Sequence, residues 1–152
     1  MSEPTQLPDN VLEIVRNAHT SGLDAVLGLK ITSVTLTEIE AELEVGPQHL
    51  QPYGLVHGGV YASIVETLGS VGAAVNAAMN GRNAVGLENS TSFLRGVREG
   101  TLKARAVPLS RGRRTQVWEV TICGDDGKVA ATGRLRALCV EAAKPVAGQK
   151  LT

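Results

Sequence analysis

The chain has 152 residues, 43% of them hydrophobic, and its 15 basic and 15 acidic side chains cancel to a formal net charge of zero. That is enough apolar material for one domain with a real core. The even balance supplies no long-range field to draw the protein to nucleic acid or to an anionic membrane, so neither is expected as a partner.

The expected organisation is a flexible start over 1–8, a single domain over 9–141, and a flexible tail over 142–152 rich in Ala, Lys, Pro and Gly. From Asp9, a candidate N-cap, the residues Val11, Leu12, Ile14 and Val15 have helical spacing, and Ser21-Gly22 ends that short helix. No basic stretch leads into an apolar run and a small-residue cleavage site there, which is the basis for expecting a cytoplasmic protein. Between Leu27 and Val45 the pattern changes to alternation, with Ile31, Val34 and Leu36 in one run and Ile39, Ala41, Leu43 and Val45 in the next. Two antiparallel strands joined near Thr37-Glu38 follow from it. Pro47 to Gly54 reads as a loop.

The loop delivers the chain to a stretch from Gly58 to Met79 in which Ala, Val, Ile, Leu and Gly dominate. Such a composition predicts a helix sunk into a core rather than one lying on the surface. Its longest apolar run, 68–79, is interrupted by Ser70 and Asn76 and is shorter than the roughly 20 residues that a bilayer requires. Glu66 is the only acidic or basic side chain between Gly58 and Met79. A carboxylate in an apolar helix must be protonated, paired or put to use. Gly58 and Gly59 open the helix, where the first backbone N–H groups lack partners and the dipole is positive, so a ligand oxygen can approach closely. Glu66 lies further on, about 12 Å along the axis at ~1.5 Å per residue. That is too far to act on a carbonyl held at Gly58 of the same chain. If both groups serve one site, the acid comes from a second, antiparallel copy of the helix, and a homodimer with two composite sites is expected.

After Gly81-Arg82, strand-like runs cover 83–95, 99–109, 114–123 and 128–140, punctuated by Glu99-Gly100, Gly112 and the hairpin signal Asp125-Asp126-Gly127. Cys123 and Cys139 fall in two of these runs without metal-ligand spacing; two reduced thiols are expected, with a disulfide left open. The order helix, two strands, long helix, four strands predicts an α+β two-layer domain, a six-stranded antiparallel sheet with the long helix against one face. The Ala and Gly of the helix suit close approach to a curved sheet. Pairing of sheet edges across a dimer axis would remove the liability of open edges.

Three stretches carry a family resemblance: QPYGLVHGGVYASIVETLGS, AVGLENSTSFLRGVREG and RGRRTQVWEV. The chain resembles the hotdog-fold acyl-CoA thioesterases over about residues 25–140. Within them it resembles the branch of the 4-hydroxybenzoyl-CoA thioesterase of the Arthrobacter type, the 1,4-dihydroxy-2-naphthoyl-CoA hydrolases and the proofreading thioesterase of enterobactin synthesis. The resemblance implies an antiparallel sheet wrapped around a long central helix. It implies hydrolysis of an aromatic or medium-sized acyl-CoA to free acid and coenzyme A, with no metal and no cofactor beyond the coenzyme A of the substrate, in a dimer or a dimer of dimers.

By the same resemblance, Gln51 hydrogen-bonds near the thioester carbonyl, the Gly58 N–H polarises it, and His57 fixes the loop or the substrate. Glu66 is the catalytic carboxylate, as nucleophile or as general base. Ser70, one turn on, orients it or the water. Coenzyme A is placed along Gly59, Gly86, Phe93, Leu94, Arg95 and Gly96, and at the turn Ser110, Arg111, Gly112, Arg113, Arg114 and Thr115. Three arginines in that turn suit phosphate oxygens. The sequence departs from the branch at Phe93, where its members carry a histidine.

Each residue also has a plainer reading. Glu66 can be a helix acid paired with a sheet arginine, and His57 a hydrogen-bonded loop residue. His57 shows no ligand spacing with His19 or His49. The glycine pair can be a tight turn, the arginines a solvated one, and Trp118 and Phe93 core or interface residues. Alternatives at the level of function are a hydroxynaphthoyl-CoA hydrolase of quinone synthesis and a non-catalytic acyl-CoA sensor on the same fold. A hotdog dehydratase fits less well, because that chemistry wants a His and an acid facing one β-hydroxyacyl group.

Overall fold

In the computed structural model, which describes residues 6–149, the chain runs through α1 (Val11–Ala18), α2 (Gly22–Leu27), β1 (Lys30–Val34), β2 (Ile39–Glu44), a 3-10 turn at Pro47–His49, α3 (Gly58–Ala78), β3 (Arg82–Phe93), β4 (Thr101–Arg111), β5 (Thr115–Cys123) and β6 (Val129–Glu141). The six strands form one antiparallel sheet in the order β1-β2-β4-β5-β6-β3. The α+β expectation is met. The expected flexible start lies largely outside the described residues, and the tail is described only to 149.

The beginning of the chain differs from its reading. Asn10, not Asp9, precedes α1, and its side chain makes no capping bond. The alternation expected from Leu27 begins only at Lys30, because α2 occupies the residues before it. This single extra turn and a half is closed by Gly28, whose φ of 72° is readily reached only without a side chain. The Gly28 N–H donates to the Ala25 carbonyl and the Leu29 N–H to that of Asp24.

Position in the sheet follows from alternation. On β5, Gln116, Trp118, Val120 and Ile122 are buried in turn, and on β6 Gly133, Leu135, Ala137 and Cys139 face the same layer. The opposite face carries cross-strand ion pairs, Arg134 with Glu119 at 3.1 Å and Arg136 with Glu88 at 3.0 Å, and a pair between Arg105 and Glu38 of the β1–β2 connection. One face is therefore core and the other polar. Both cysteines are free, and the Gln116 amide donates to Cys139 Sγ at 3.4 Å and to the Ala73 carbonyl at 3.3 Å. Trp118 Nε1–H in turn donates to Gln116 Oε1 at 3.0 Å, so these buried polar groups have partners.

The long helix α3 lies in the concave side of the sheet, with Ile64, Val65 and Leu68 fully enclosed. Its 21 residues have the length and hydropathy of a membrane-crossing helix, but the sheet covers more than half of them. The contact is close because glycine stands where the layers touch. A Cβ on Gly69 would sit 2.6 Å from Leu135, and one on Gly72 would sit 2.7 Å from three atoms of the Trp118 ring. Gly in a helix interior costs about 1 kcal/mol relative to Ala, so ordinary helix logic favours replacement. Here a fully buried indole has nowhere to go, and overpacking costs roughly 1–3 kcal/mol. Gly72→Ala is expected to lower the thermal midpoint in spite of its better helix propensity; a midpoint raised in calorimetry would show that the indole yields.

Candidate active site

The start of α3 is held by its own first residues. His57 is the N-cap, and its Nδ1 accepts the Gly59 N–H at 2.8 Å while its carbonyl accepts the Val60 N–H at 2.9 Å. The ring proton therefore resides on Nε2. Among the described residues nothing accepts the Gly58 N–H, so one amide at the positive end of the dipole stays free for a ligand. The loop before it is tied at several points. Leu50 bridges Val56, the Gln51 N–H donates to Leu55 at 2.7 Å, the Gln51 side-chain oxygen accepts the Tyr53 N–H, and Arg98 donates to the Tyr53 carbonyl at 2.8 Å. His49, only 1% exposed, props the loop from beneath: Nδ1 accepts the Gly46 N–H at 2.9 Å and Nε2 lies 2.7 Å from the Leu27 carbonyl. His49 and Arg98 were missed as loop supports; nothing in their local sequence marks them.

Glu66 is not sunk into the core as the helix composition suggested. It stands exposed on the open side of α3, and Asn89 Nδ2 on β3 donates to its Oε2 at 3.1 Å and to the Ala62 carbonyl at 2.9 Å. Thr91 Oγ1 donates to Asn89 Oδ1 at 2.7 Å, which orients the amide. The other carboxylate oxygen lies over Gly86, where a Cβ would come within 2.6 Å of it. Gly86 thus makes room for the acid, the geometric fact behind a position that the resemblance assigned to coenzyme A. Ser70 is half-buried one turn further along α3. Asn89 and Thr91 were missed, although the polar run Glu88 to Ser92 inside a strand, with those two residues on one face, is a readable signal.

A cleft of about 500 Å³ surrounds the acid, lined by Leu23, Ala62, Ser63, Glu66, Thr67, Asn89, Thr91 and Phe93. The α2 helix forms one wall. It is fastened by a chain of short bonds, Thr67 Oγ1 to Asp24 Oδ1 at 2.6 Å and His19 Nδ1 to Asp24 Oδ2 at 2.6 Å. Phe93 links the cleft with the start of α3: its ring covers Gly58, where a Cβ would lie 2.6 Å from Cζ, and is centred 6.1 Å from that of Tyr61. Burial pushes the Tyr61 phenol above its ordinary range, with the Arg95 charge opposing.

The residues proposed for coenzyme A divide into two groups. Phe93, Leu94, Arg95 and Gly96 lie at the Gly58 end, where Phe93 pairs with Ala131. The turn Ser110, Arg111, Gly112, Arg113, Arg114 and Thr115 lies at the other end, since Thr115 pairs with Leu138 and Arg82 with Glu141. The length of β3 at ~3.3 Å per residue separates these ends by roughly 35 Å. Two arginines already have work. Arg95 donates to Asp126 at 2.8 Å, and the Lys128 backbone N–H, followed by this guanidinium, holds the Asp126 carboxyl below the usual range. Arg111 reaches the Leu36 carbonyl and Asn76 Oδ1, each at 3.4 Å. Arg113 and Arg114 line a pocket of about 540 Å³ with Arg82, Lys144 and Glu141. Sequence reasoning missed Arg82 and Lys144: Arg82 reaches the turn because β6 pairs with both β3 and β5, and Lys144 follows the end of β6.

Residues 53–131 match the family described as Thioesterase superfamily. The chain is 40% identical over 125 residues to Rv1847 of Mycobacterium tuberculosis, a protein named as an esterase, covering 81% of this chain and 89% of that one. It is 36% identical over 124 residues to the proofreading thioesterase EntH of Cronobacter turicensis, covering 82% and 90%. Among solved structures, thioesterase HI1161 of Haemophilus influenzae superposes with a TM-score of 0.81 at 31% identity, over 88% of this chain and 92% of that one. With the six-stranded sheet curved around α3, these likenesses make the chain a member of the hotdog-fold thioesterase superfamily and a thioester hydrolase.

Proposed function

We propose that the protein hydrolyses an aromatic or medium-sized acyl-CoA thioester, with the Gly58 N–H of one copy receiving the thioester oxygen and Glu66 of a second copy supplying the carboxylate. The observation that carries this reading is the pair of groups itself: one free amide at the start of α3, and one acid on the same helix set in a cleft and oriented by Asn89. The N–H stabilises the oxyanion that forms as the carbonyl is attacked, and stabilisation of this kind is usually the chief source of rate in acyl transfer. Glu66 either takes a proton from water or attacks directly to give an anhydride that water opens. In both routes the thiolate leaves without needing a strong acid. Gln51 at the loop and Ser70 beside Glu66 complete the polar surroundings, and His57 acts by holding the Gly59 N–H.

Two features support a homodimer in which each site draws on both copies. Ala62, Glu66, Ser70, Ala74 and Ala78 recur every fourth residue along α3, and none of them is fully buried within one protomer. Side chains this small admit a second helix at close range. The edge strand β3 is exposed from Gly86 to Ser90 and offers an unpaired ladder. Antiparallel pairing of two such edges sets the Gly58 end of one copy beside the arginine turn of the other, which a single protomer holds apart. Coenzyme A phosphates at Arg113 and Arg114 and a thioester at Gly58 then belong to one ligand spanning two chains. A dimer of dimers and a cytoplasmic location remain parts of the same proposal.

The test is release of free thiol from benzoyl-, phenylacetyl-, hydroxynaphthoyl- and straight-chain acyl-CoA, with turnover expected on at least one aryl or medium-chain member. Glu66→Gln should lower kcat by about 10²–10⁴-fold with little change in binding; near-normal turnover would remove Glu66 from the mechanism. Asn89→Ala deletes one hydrogen bond to a charged group, about 1.5 kcal/mol or roughly tenfold in kcat, and KM should stay nearly constant. A change confined to KM would place Asn89 in binding instead. Arg113→Ala with Arg114→Ala should raise KM roughly tenfold for coenzyme A thioesters and far less for pantetheine thioesters. Equal effects on both substrates would dismiss the phosphate role.

A further inference from the structure

We propose that α2 is a strap between the two composite sites of the dimer. It ties the Glu66 turn, which serves one site, to the loop that presents Gly58 to the other, and Asp24, Thr67 and His49 are its positioning residues. The proposal rests on the two-chain reading given above, and every bond it uses is made within a single chain.

The strap is a helix with little else to hold it. Of the six residues of α2 only Asp24 and Leu27 are half-buried, while Leu23 and Val26 are 62% and 75% exposed. A helix this short does not persist by itself, because it forms too few bonds to offset the cost of its first turn. Gly22 opens it at a φ of 77° and Gly28 closes it at 72°, both in open surroundings where a Cβ would meet nothing within 4 Å. Packing therefore does not fix the two ends, and the position of α2 depends on the ties made by its two half-buried residues.

One tie reaches the turn of the acid. Asp24 Oδ1 accepts the Thr67 hydroxyl at 2.6 Å, and His19 Nδ1 lies 2.6 Å from Oδ2. Thr67 follows Glu66 directly and is only 9% exposed, so α2 is fastened to the turn of α3 that carries the carboxylate. The other tie reaches the loop before α3. His49 Nδ1 accepts the Gly46 N–H, which leaves the ring proton on Nε2, and that N–H donates to the Leu27 carbonyl at 2.7 Å. The His49 carbonyl in turn accepts the His57 N–H at 2.8 Å, one residue before Gly58. The loop is thus joined to the Glu66 turn twice, once through the first turns of α3 and once through α2. Since Glu66 and Gly58 of one chain serve different sites, a shift at either tie is felt at both sites.

Hydrogen exchange at the loop, read beside steady-state kinetics, tests the strap. Asp24→Ala removes the first tie, and Thr67→Val removes it from the other end while keeping the shape of the side chain. Each should speed exchange of the Val56 and His57 amides about tenfold and lower kcat about tenfold at nearly constant KM, as expected for one lost hydrogen bond to a charged group. The double variant should do little more than either single one, because both break the same bond. Asp24→Asn keeps an oxygen for Thr67 and an amide for His19 and should restore both readouts. Val26→Ala, exposed on the same helix, should change neither, and thermal midpoints check that each variant folds. Loop exchange that Asp24→Ala and Thr67→Val leave unmoved, or losses in kcat that multiply in the double variant, overturns the proposal. A protein that sediments as a monomer has no second site and overturns it as well. Exchange needs no substrate, so the two proposals fail separately: if the loop responds and no thioester is hydrolysed, the functional reading falls and the strap stands. If thioesters are hydrolysed and the loop does not respond, the functional reading stands without the strap.

Discussion

The structure depends on how closely α3 can approach the sheet. Gly69 and Gly72 bring the helix backbone down onto Leu135 and Trp118, and no other residue leaves room for those side chains. This contact sets the height of α3 above the strands and therefore the reach from β3 to Glu66. Asn89 meets the carboxylate at 3.1 Å only because the helix sits that low. The core and the site are thus built together: large buried side chains on β5 and β6, absent side chains on α3, and a single acid on the face turned away from them.

The polar groups near the acid are arranged to satisfy one another. Asn89 is held by Thr91 and holds Glu66, Thr67 holds α2, and His57 occupies the amide of Gly59 while leaving that of Gly58 free. Each bond removes a donor that a substrate would otherwise find. Among these groups the Gly58 N–H keeps no partner, and the Glu66 carboxylate, held by Asn89 through Oε2, still has acceptor capacity. A site with so few open groups suits a reaction whose leaving group departs readily and whose chief demand is a donor for the developing oxyanion.

Charge is distributed by the sheet rather than by the helix. The outer face pairs Glu88 and Glu119 with arginines across strands and Glu38 of the β1–β2 connection with Arg105, contacts of small value for stability at an exposed surface. Arg113 and Arg114 stand apart from that pattern, gathered with Arg82 and Lys144 at the end of the sheet opposite Gly58. One protomer therefore separates a basic pocket from the Gly58 end of α3 by the length of a strand.

Much of this was legible in the residues. The α+β order, the six strands and the span of α3 follow from periodicity and turn signals, because a buried helix and half-buried strands write their packing into the spacing of apolar side chains. Glu66 stood out as the one charged residue in its helix, and Gly58 as a glycine at a helix start. The α2 turn escaped because six residues with no buried face carry no period. Asn89, Thr67, Asp24 and Leu23 acquire meaning only where β3, α3 and α2 converge, and Arg82 joins Arg113 only because β6 pairs with both β3 and β5. Sequence alone determined which elements form and which acid is exceptional, since those depend on local pattern and on the cost of charge in an apolar run. Tertiary structure decided that this acid stands in an open cleft and which groups surround it, because residues far apart in the chain become neighbours only when the layers pack.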